Sequence, residues 1–319
     1  SYFRVPPRHL LAGRMNDSVL KIIRSEVLDP PARINDVLDA IEGQHKDRVL
    51  AFIYYGSSLR EISNPDKMLD FYVLVDSYRA VHGKGLRALL NRLIPPAVYY
   101  IEREGKDGVL STCKYSILSL KEFERRCTGK VLQSQVWGRF SQPCILLRAK
   151  DNSISERVCQ ARVNAVQYMA SQSAPLIAPK ASAAEIWGRG FYESYRTELR
   201  PESSVGRSQE IVERFSERYA SLTTALYGQP DQSGQYKLSE ENKSRVKRLW
   251  FWRRVQGKPL SILRILNSAA TFEGGLDYVL RKLKNHSGVD YQPTPFQRKH
   301  PVLTSPIMGW QLWRKGAFR

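Results

Sequence analysis

Hydrophobic residues in the first half of the chain follow two different periods. Apolar side chains recur at helical spacing over residues 17–28 and 32–41, which predicts two helices. Two nearly continuous apolar runs follow, VLAFIYYGSS at 49–58 and MLDFYVLVD at 68–76, and such runs are typical of buried strands. Further strands are predicted at PPAVYYIER, VLSTCKYSILS and PCILLRA, and a long helix at 153–171. These elements predict an α+β fold in which helices flank a mixed sheet.

The second half of the chain is mostly helical in period. A segment rich in Pro, Ser and Ala, SQSAPLIAPKASA, indicates a domain boundary near residue 172. Helical runs then occur at 208–227, 240–255 and 275–284. From His286 onward, several prolines indicate a loop-like tail. We therefore predict three parts, which are a first domain at 1–172, a smaller and mostly helical domain at 173–285, and a basic and aromatic tail at 286–319.

Basic residues exceed acidic residues by a wide margin. The chain has 50 Lys and Arg against 31 Asp and Glu, which gives a formal charge of +19. An excess of this size indicates a polyanionic partner, and nucleic acid, nucleotide and anionic lipid all fit it. The alternative is a solvated basic surface that has no particular partner.

Composition also excludes several classes of protein. With 42% hydrophobic residues in 319, the chain can bury one or two cores, which excludes a disordered protein. The four cysteines lie too far apart for a paired metal motif, and we expect them to be reduced core residues. No stretch approaches the roughly 18 apolar residues of a membrane-spanning helix, and the first residues lack a secretory signal's long apolar centre. We expect a cytosolic or matrix-like protein that contacts a membrane from one side only.

The candidate chemistry lies where two predicted strands meet. Gly56, Ser57 and Ser58 follow the first strand, and Asp70 lies inside the second. A glycine turn lets backbone amides approach phosphate oxygens, and a carboxylate on a rigid strand can hold a divalent metal against them. An ordinary turn and a strand-end capping acid are the alternatives. An acid inside an apolar strand is rarely buried without a partner, which favours a functional role for Asp70.

These residues also carry a family resemblance. FIYYGSS, then MLDFYVLVD and His82 resemble the YGSG, LDF and histidine signature of the mitochondrial-type phosphatidate cytidylyltransferases, the translocator assembly and maintenance family. AVYYIER, KYS, WGRFSQPCILL and RVNAVQYM continue the likeness in the same order. The resemblance covers roughly residues 49–172 well and the rest in outline.

The resemblance implies a nucleotidyltransferase-fold domain, a smaller helical or winged-helix-like domain, and a C-terminal amphipathic segment that touches the membrane. It implies that Asp70 and Lys114 are catalytic and that Asp70 binds Mg²⁺. The implied nucleotide-binding residues are Gly56, Ser57, Ser58, His82, Arg139 and Asn164. Taken alone, Lys114 is equally well a solvent-facing strand lysine, and His82 is more often structural in such a position.

Two features depart from the family pattern. Ser58 replaces the second glycine of the family's turn, which suggests a slightly different turn. The wider superfamily often carries a second acid two residues from the first, but Met68 and Tyr72 occupy those positions here. The second metal ligand is therefore open, with Glu102 the preferred candidate. The other acids considered are Asp66, Asp76 and Glu104.

The end of the chain combines aromatic and basic residues. Trp310, Trp313, Arg314 and Lys315 suit a bilayer interface, where the rings lie at headgroup level and the cations pair with lipid phosphate. A tail that packs on its own protein is the alternative. RVKRLWFWRR, at 245–254, has the same composition, and a core helix with a solvated basic side is an equally good interpretation of it.

We therefore expect a phosphatidate cytidylyltransferase that makes CDP-diacylglycerol and pyrophosphate from CTP and phosphatidic acid, with Mg²⁺ as cofactor. We expect an anionic membrane as its partner, and no nucleic acid. The expected location is the cytoplasmic face of the bacterial inner membrane, or alternatively the matrix side of the mitochondrial inner membrane. The other class considered is a nucleic-acid-directed nucleotidyltransferase or a non-catalytic basic binding module.

Overall fold

The chain divides into two compact units in the computed structural model. The model describes residues 8–61, 64, 67–82, 86–93, 95–105, 108–198, 204–269 and 275–317. The sheet unit comprises Leu28–Phe123, Cys144–Ser155 and Val255–Arg319. The helical unit comprises Ser1–Val27, Glu124–Pro143 and Glu156–Arg254. Each unit is therefore assembled from segments that are distant in sequence.

The described residues form seven strands and fourteen α-helices. In chain order the strands are β1 (Val49–Tyr55), β2 (Leu69–Val75), β3 (Ala97–Glu104), β4 (Leu110–Ser119), β5 (Ile145–Ala149), β6 (Lys180–Ala181) and β7 (Tyr236–Lys237). The helices are α1 (Arg8–Ser25), α2 (Ala32–His45), α3 (Tyr78–His82), α4 (Leu86–Leu93), α5 (Leu120–Cys127), α6 (Gln135–Phe140), α7 (Asn152–Ile177), α8 (Ala183–Tyr195), α9 (Ser204–Arg214), α10 (Ser216–Tyr227), α11 (Lys243–Ala269), α12 (Gly275–Ser287), α13 (Pro295–Lys299) and α14 (Pro301–Arg314). Short 3-10 helices occur at Lys46–Arg48 and Ser58–Glu61.

The first five strands form one mixed sheet in the order β3-β4-β2-β1-β5. β1 is antiparallel to both β2 and β5, and β3 is antiparallel to β4. β2 and β4 run parallel. The predicted α+β class with a mixed sheet flanked by helices is therefore confirmed.

One face of this sheet packs against α2. Alternate residues of the central strands, such as Leu69, Phe71 and Tyr115, are buried in a cluster with Ile34, Val37, Leu38 and Ile41 of the helix. Successive side chains of a strand point to opposite faces, so this cluster fixes which residues lie on the other face.

Arg148 fastens the same helix to the edge strand β5. Its guanidinium donates hydrogen bonds to Asp39 at 2.7 Å, Glu42 at 3.2 Å and the Asn35 side-chain oxygen at 3.0 Å. All three acceptors lie on α2, so one side chain of β5 is bonded to three positions of the helix that covers the sheet.

The helical unit contains a buried arginine enclosed by aromatic rings. Arg253 is 2% exposed, and its guanidinium carbon lies 4.6 Å from the ring centre of Trp250, 5.0 Å from that of Trp137 and 5.7 Å from that of Tyr168. It donates hydrogen bonds to the Leu132 carbonyl, the Gln172 side chain and the Tyr168 hydroxyl. Burial lowers the pKa of this guanidinium. Hydrogen-bond acceptors and ring faces stabilise the cation here.

The second half of the chain is helical both at the predicted domain boundary and in the tail. Helix α7 continues to Ile177, so residue 172, where the sequence indicates a boundary, lies inside a helix. The division at 172 and 285 stays a prediction. The prediction of a loop-like tail from residue 286 onward is wrong, because α13 and α14 occupy most of that segment. The prolines that suggested a loop, Pro295 and Pro301, stand at first helical positions, where a missing N–H costs nothing.

Gly129 offers a test of packing in the helical unit. Its φ is +72°, and a Cβ built on it would lie 2.1 Å from Cζ of Tyr168, the residue whose hydroxyl bonds Arg253. We expect Gly129→Ala to lose about 1–2 kcal/mol through left-handed strain and a further ~1–3 kcal/mol through overpacking. Urea unfolding measures the sum.

Gly234→Ala is the matched control for this substitution. Gly234 has a φ of +75°, but no atom of the described residues lies within 4 Å of a Cβ added there. It should therefore show the backbone strain alone. Equal losses in the two variants would contradict the close approach of Tyr168 to Gly129.

Candidate functional site

Four side chains form a row across the sheet, on the face opposite to α2. Tyr55 of β1 is paired with Asp70 of β2, Asp70 with Lys114 of β4, and Lys114 with Tyr100 of β3. Residues directly opposite on neighbouring strands point to the same face. The neighbours of Asp70, Leu69 and Phe71, belong to the buried cluster against α2, so Asp70 and the rest of the row face away from that helix.

The row is buried at one end and exposed at the other. Tyr55 is 6% exposed and its ring packs against that of Tyr72, with 5.1 Å between the ring centres. Asp70 is partly buried, whereas Lys114 is exposed and Tyr100 is 40% exposed. A carboxylate and an ammonium group therefore lie on adjacent strands where the row opens to solvent.

Gly56 places the backbone directly against Asp70. It follows β1 with a φ of +90°, and a Cβ added there would lie 3.1 Å from Oδ2 of Asp70. Glycine alone adopts this conformation readily, and here a larger residue would also push against the carboxylate. The structure thus brings together three of the candidate residues, Gly56, Asp70 and Lys114, and Ser57 follows as a partly buried residue.

Ser58 is more deeply buried than its neighbour Ser57. It begins the 3-10 helix Ser58–Glu61 and is 1% exposed, whereas Ser57 is partly buried. The side chain of Ser58 therefore lies in the interior. Nucleotide binding by Ser58 stays a prediction.

The connection from β1 to β2 is held at two described points. Arg33 of α2 donates a hydrogen bond to the Asn64 carbonyl at 3.1 Å. Lys67 forms an ion pair with Glu61 at 3.3 Å. The first contact ties the connection that follows Gly56 to the helix behind the sheet, and the second links two residues of the connection to each other. Asp66, one of the acids considered as a metal ligand, lies outside the described residues.

The other candidate metal ligands are not adjacent to Asp70. Glu102 lies on β3, opposite Thr112 of β4, so the strand that contains Lys114 separates Glu102 from β2. The carboxylate of Glu102 accepts a 2.7 Å hydrogen bond from the Tyr100 hydroxyl. Asp76 follows the opposite end of β2 and pairs with Arg48. Glu104 lies two residues beyond Glu102, so it too is on β3.

Within the described residues, no group of three His, Cys, Asp or Glu side chains is placed to hold a metal. Magnesium is often held by one or two carboxylates together with substrate phosphates. Asp70 fits that arrangement, and the identity of a second protein ligand stays a prediction.

His82 lies on the other face of the sheet from Asp70. Its Nδ1 is 2.9 Å from the hydroxyl of Tyr99, and its ring stacks on that of Tyr99. Tyr99 packs against the cluster around α2, and its ring stacks in turn on that of Tyr115. Asn91 donates from its amide nitrogen to Nε2 of His82 at 3.0 Å. The Asn91 oxygen accepts from the Ala97 amide, which fixes this orientation.

Both ring nitrogens of His82 are therefore engaged within the sheet unit. Because Nε2 accepts, the neutral ring carries its proton on Nδ1 and donates it to Tyr99. The structure does not bring His82 to the row that contains Asp70.

Arg139 and Asn164 belong to the helical unit. Arg139 lies on α6 and Asn164 on α7, and both are partly buried. The Asn164 oxygen accepts a hydrogen bond from Gln160 at 3.4 Å. Their binding of nucleotide stays a prediction.

Helix α14 is apolar on two sides. Met308 and Leu312 are fully buried, whereas Leu303, Ile307, Trp310 and Trp313 are each more than half exposed. The exposed residues recur at helical spacing and form one stripe. Arg314 lies over the Trp310 ring at 4.8 Å, and Lys315 lies over the ring of Tyr291 at 5.3 Å. Of the four residues predicted to contact a membrane, Trp310 and Trp313 belong to this stripe, Arg314 contacts one of them, and Lys315 follows the helix.

No protein-family model matches the chain, and no curated protein matches it either. Among solved structures it is similar to a protein from Exiguobacterium sibiricum described as nucleotidyltransferase-like. The identity is 12%, the match covers 86% of this chain and 89% of that chain, and the TM-score is 0.26. A TM-score this low does not establish a shared fold. Among the helices described, none is long and apolar enough to cross a membrane.

Tyr55 and Tyr100 are members of the row that sequence reasoning missed. The sequence YYIER contained one indication for Tyr100. Side chains alternate between the two faces of a strand, so Tyr100 must lie on the same face of β3 as the candidate ligand Glu102. The pairing of Tyr100 with Lys114 and of Tyr55 with Asp70 depends on strand register, which the sequence of a single strand does not contain.

His45 predicts a pH dependence of stability. Its Nε2 lies 2.9 Å from the Tyr115 hydroxyl, and burial lowers the pKa of His45 below its ordinary value. In the unfolded chain His45 takes up a proton near pH 6.5. In the folded chain it stays neutral until the pH reaches its lowered pKa. The free energy of unfolding should therefore fall as the pH falls from about 6.5 toward the lowered pKa of the folded state.

Urea unfolding of the wild type and of His45→Gln at several pH values measures this contribution. The variant should lose less stability than the wild type between neutral and mildly acidic pH, since it lacks the group that protonates on unfolding. Parallel pH curves for the two proteins would show that His45 does not contribute.

Proposed function

We propose that this chain is a metal-dependent nucleotidyltransferase whose reaction takes place over the row of Asp70 and Lys114. The observation that carries the proposal is the closeness of Gly56 to the Asp70 carboxylate, since a Cβ added to the glycine would lie 3.1 Å from Oδ2, with Lys114 on the adjacent strand. A glycine turn, a carboxylate and a cation in one open site supply the groups that triphosphate binding requires.

Each residue has a separable task in this proposal. The turn at Gly56 and Ser57 donates hydrogen bonds to phosphate oxygens, because glycine leaves its backbone accessible. Asp70 holds Mg²⁺, which neutralises charge on the attacking and leaving oxygens when it is bound. Lys114 is exposed one strand away and neutralises further phosphate charge.

The proposed substrates are CTP and phosphatidic acid, which would give CDP-diacylglycerol and pyrophosphate. In this reaction a phosphate oxygen of phosphatidic acid forms a bond to the α-phosphorus of CTP, and the bond from that phosphorus to the bridging oxygen of pyrophosphate breaks. The attacking group is already an anion, so alignment and charge neutralisation matter more than proton removal. A general base is not needed, which agrees with the place of His82 on the other face of the sheet.

The family resemblance of residues 49–172 supports this choice of substrates, and the formal charge of +19 suits two polyphosphate or phospholipid substrates. We propose peripheral contact with an anionic membrane through α14. The cytoplasmic face of a bacterial inner membrane is the proposed location, with the matrix side of the mitochondrial inner membrane as the alternative.

A nucleic-acid substrate is the second candidate, and one observation favours it. Phe251 and Trp252 of α11 are 53% and 56% exposed beside basic residues, which is a composition that stacks on single-stranded bases. Competition of labelled CTP transfer between phosphatidate vesicles and single-stranded RNA separates the two candidates.

Asp70→Asn is the first test of the reaction. Transfer of the CMP group from labelled CTP to phosphatidate should fall at least about 100-fold, because the variant loses the metal-binding charge. Asp76→Asn is the matched control, since Asp76 follows the opposite end of the same strand and pairs with Arg48. It should keep activity near that of the wild type. Equal activity of both variants at saturating Mg²⁺, with both folded, would remove Asp70 from the site.

The exposed stripe of α14 gives the test of membrane contact. Trp310→Ser with Trp313→Ser removes two rings that are 55% and 64% exposed. Burial of these rings is worth about 25 cal/mol per Å², so binding to phosphatidate vesicles should fall at least about tenfold while CTP binding in solution persists.

Leu89→Ser with Leu93→Ser is the control for this pair. These leucines lie one helical turn apart on α4 and are 51% and 64% exposed. Their replacement removes exposed apolar side chains from a different helix and should leave vesicle binding unchanged. If both double variants bind vesicles like the wild type, the membrane contact does not involve α14.

A further inference from the structure

One glutamate in the helical unit is surrounded by three arginines. The side chain of Glu193 on α8 is 3% exposed. Its carboxylate lies 2.8 Å from Arg189, 2.8 Å from Arg254 and 3.6 Å from Arg196. We call Arg189, Arg196 and Arg254 the arginine cluster. Its three positive charges face one negative charge, so the group carries a net charge of +2.

The cluster has more hydrogen-bond donors than Glu193 can use. Each guanidinium has five N–H donors, whereas a carboxylate has about four acceptor positions. The side chains of Arg189 and Arg196 are 40% and 42% exposed. The Nε of Arg189 is buried and has no hydrogen-bond partner among the residues that the structure describes. The exposed parts of Arg189 and Arg196 therefore leave positive charge at the surface.

The arginines are also held in place. Glu193 is buried and forms ion pairs with all three arginines, which restricts their rotamers. Arg196 lies over the ring of Tyr192 at 5.2 Å, a contact that further limits its movement. A preorganised group of guanidiniums binds a phosphate with little additional ordering, and guanidinium geometry matches phosphate oxygens in pairs.

The surface beside the cluster is aromatic and basic. Arg254 lies one helical turn after Phe251 and two turns after Lys247 on α11, so these side chains share one side of the helix. Phe251 and Trp252 are each more than half exposed, and their rings contact each other. Large exposed rings next to phosphate-binding cations are the composition of a lipid headgroup site.

We propose that the arginine cluster binds a phosphate monoester group, and that the phosphate is the headgroup of an anionic phospholipid. A free phosphate shares the same chemistry, so the experiment includes both sources. The cluster belongs to the helical unit, whereas the row around Asp70 belongs to the sheet unit. The test of the cluster contains no nucleotide. Failure of the nucleotidyl-transfer proposal would therefore leave it unaffected.

Vesicle binding by Arg189→Gln with Arg196→Gln is the first measurement. Arg254 remains in this variant to pair with Glu193. Vesicles of phosphatidylcholine with phosphatidate are compared with vesicles of phosphatidylcholine with phosphatidylserine at equal surface charge. We expect the variant to lose affinity for phosphatidate vesicles about tenfold more than for phosphatidylserine vesicles, because charge-assisted bonds to the monoester disappear.

Arg207→Gln with Arg214→Gln is the matched control. Both arginines lie on α9 and pair with Glu210, whose side chain is 45% exposed. The control removes the same charge and should weaken binding to both kinds of vesicle equally. If the cluster variant behaves like this control, the cluster contributes only general positive charge and the proposal is wrong.

Thermal unfolding with inorganic phosphate, at constant ionic strength against chloride, distinguishes the source of the phosphate. A stabilisation of the wild type that the cluster variant lacks would assign the site to free phosphate as well as to lipid. No stabilisation, combined with selective loss of phosphatidate binding, would assign it to the lipid headgroup alone. Equal stabilisation of both proteins together with unselective vesicle binding would overturn the site.

Discussion

The parallel pairing of β2 with β4 is the contact on which the candidate site depends. It sets Asp70 beside Lys114, and Lys114 is paired in turn with Tyr100 of β3. The buried residues on either side of Asp70 hold this register, because a slip by one residue would turn Leu69 and Phe71 to the open face and Asp70 toward α2. Burial of apolar side chains on one face of the sheet thus determines where charge lies on the other.

The two faces of the sheet also differ in role. The proposed catalytic residues lie on one face, and the packed residues that hold the strands in place lie on the other. The face against α2 contains the stack of His82, Tyr99 and Tyr115, whose polar atoms are bonded to one another and to neighbouring side chains. Hydrogen bonds of this kind rigidify a sheet when every member is satisfied. The opposite face keeps a carboxylate and an ammonium group at the edge of solvent. A ligand on that face would meet groups that the stack behind them holds in place.

Sequence periodicity predicted the strands well because it depends on local alternation and run length. The runs at 49–58 and 68–76 contain β1 and β2, and the order of Gly56 and Asp70 could be read directly. Strand order and register could not be read from the sequence, since they arise from pairing between segments that are distant in sequence.

At residues 286–319 the local pattern itself was ambiguous. Proline can end a helix or begin one, and which of the two occurs depends on its position relative to the helix. The sequence also gave no sign of the grouping around Glu193, which joins α8 to α11.

The tryptophans divide evenly between the interior and the surface. Trp137, Trp187 and Trp250 are at most 1% exposed, whereas Trp252, Trp310 and Trp313 are more than half exposed. These are all six of the chain. The buried indoles emit at shorter wavelengths and are shielded from an aqueous quencher, while the exposed indoles meet it directly. Iodide quenching of the intrinsic fluorescence therefore reports on coverage of the surface, and the emission wavelength reports on opening of the core, so one unlabelled signal separates docking from unfolding.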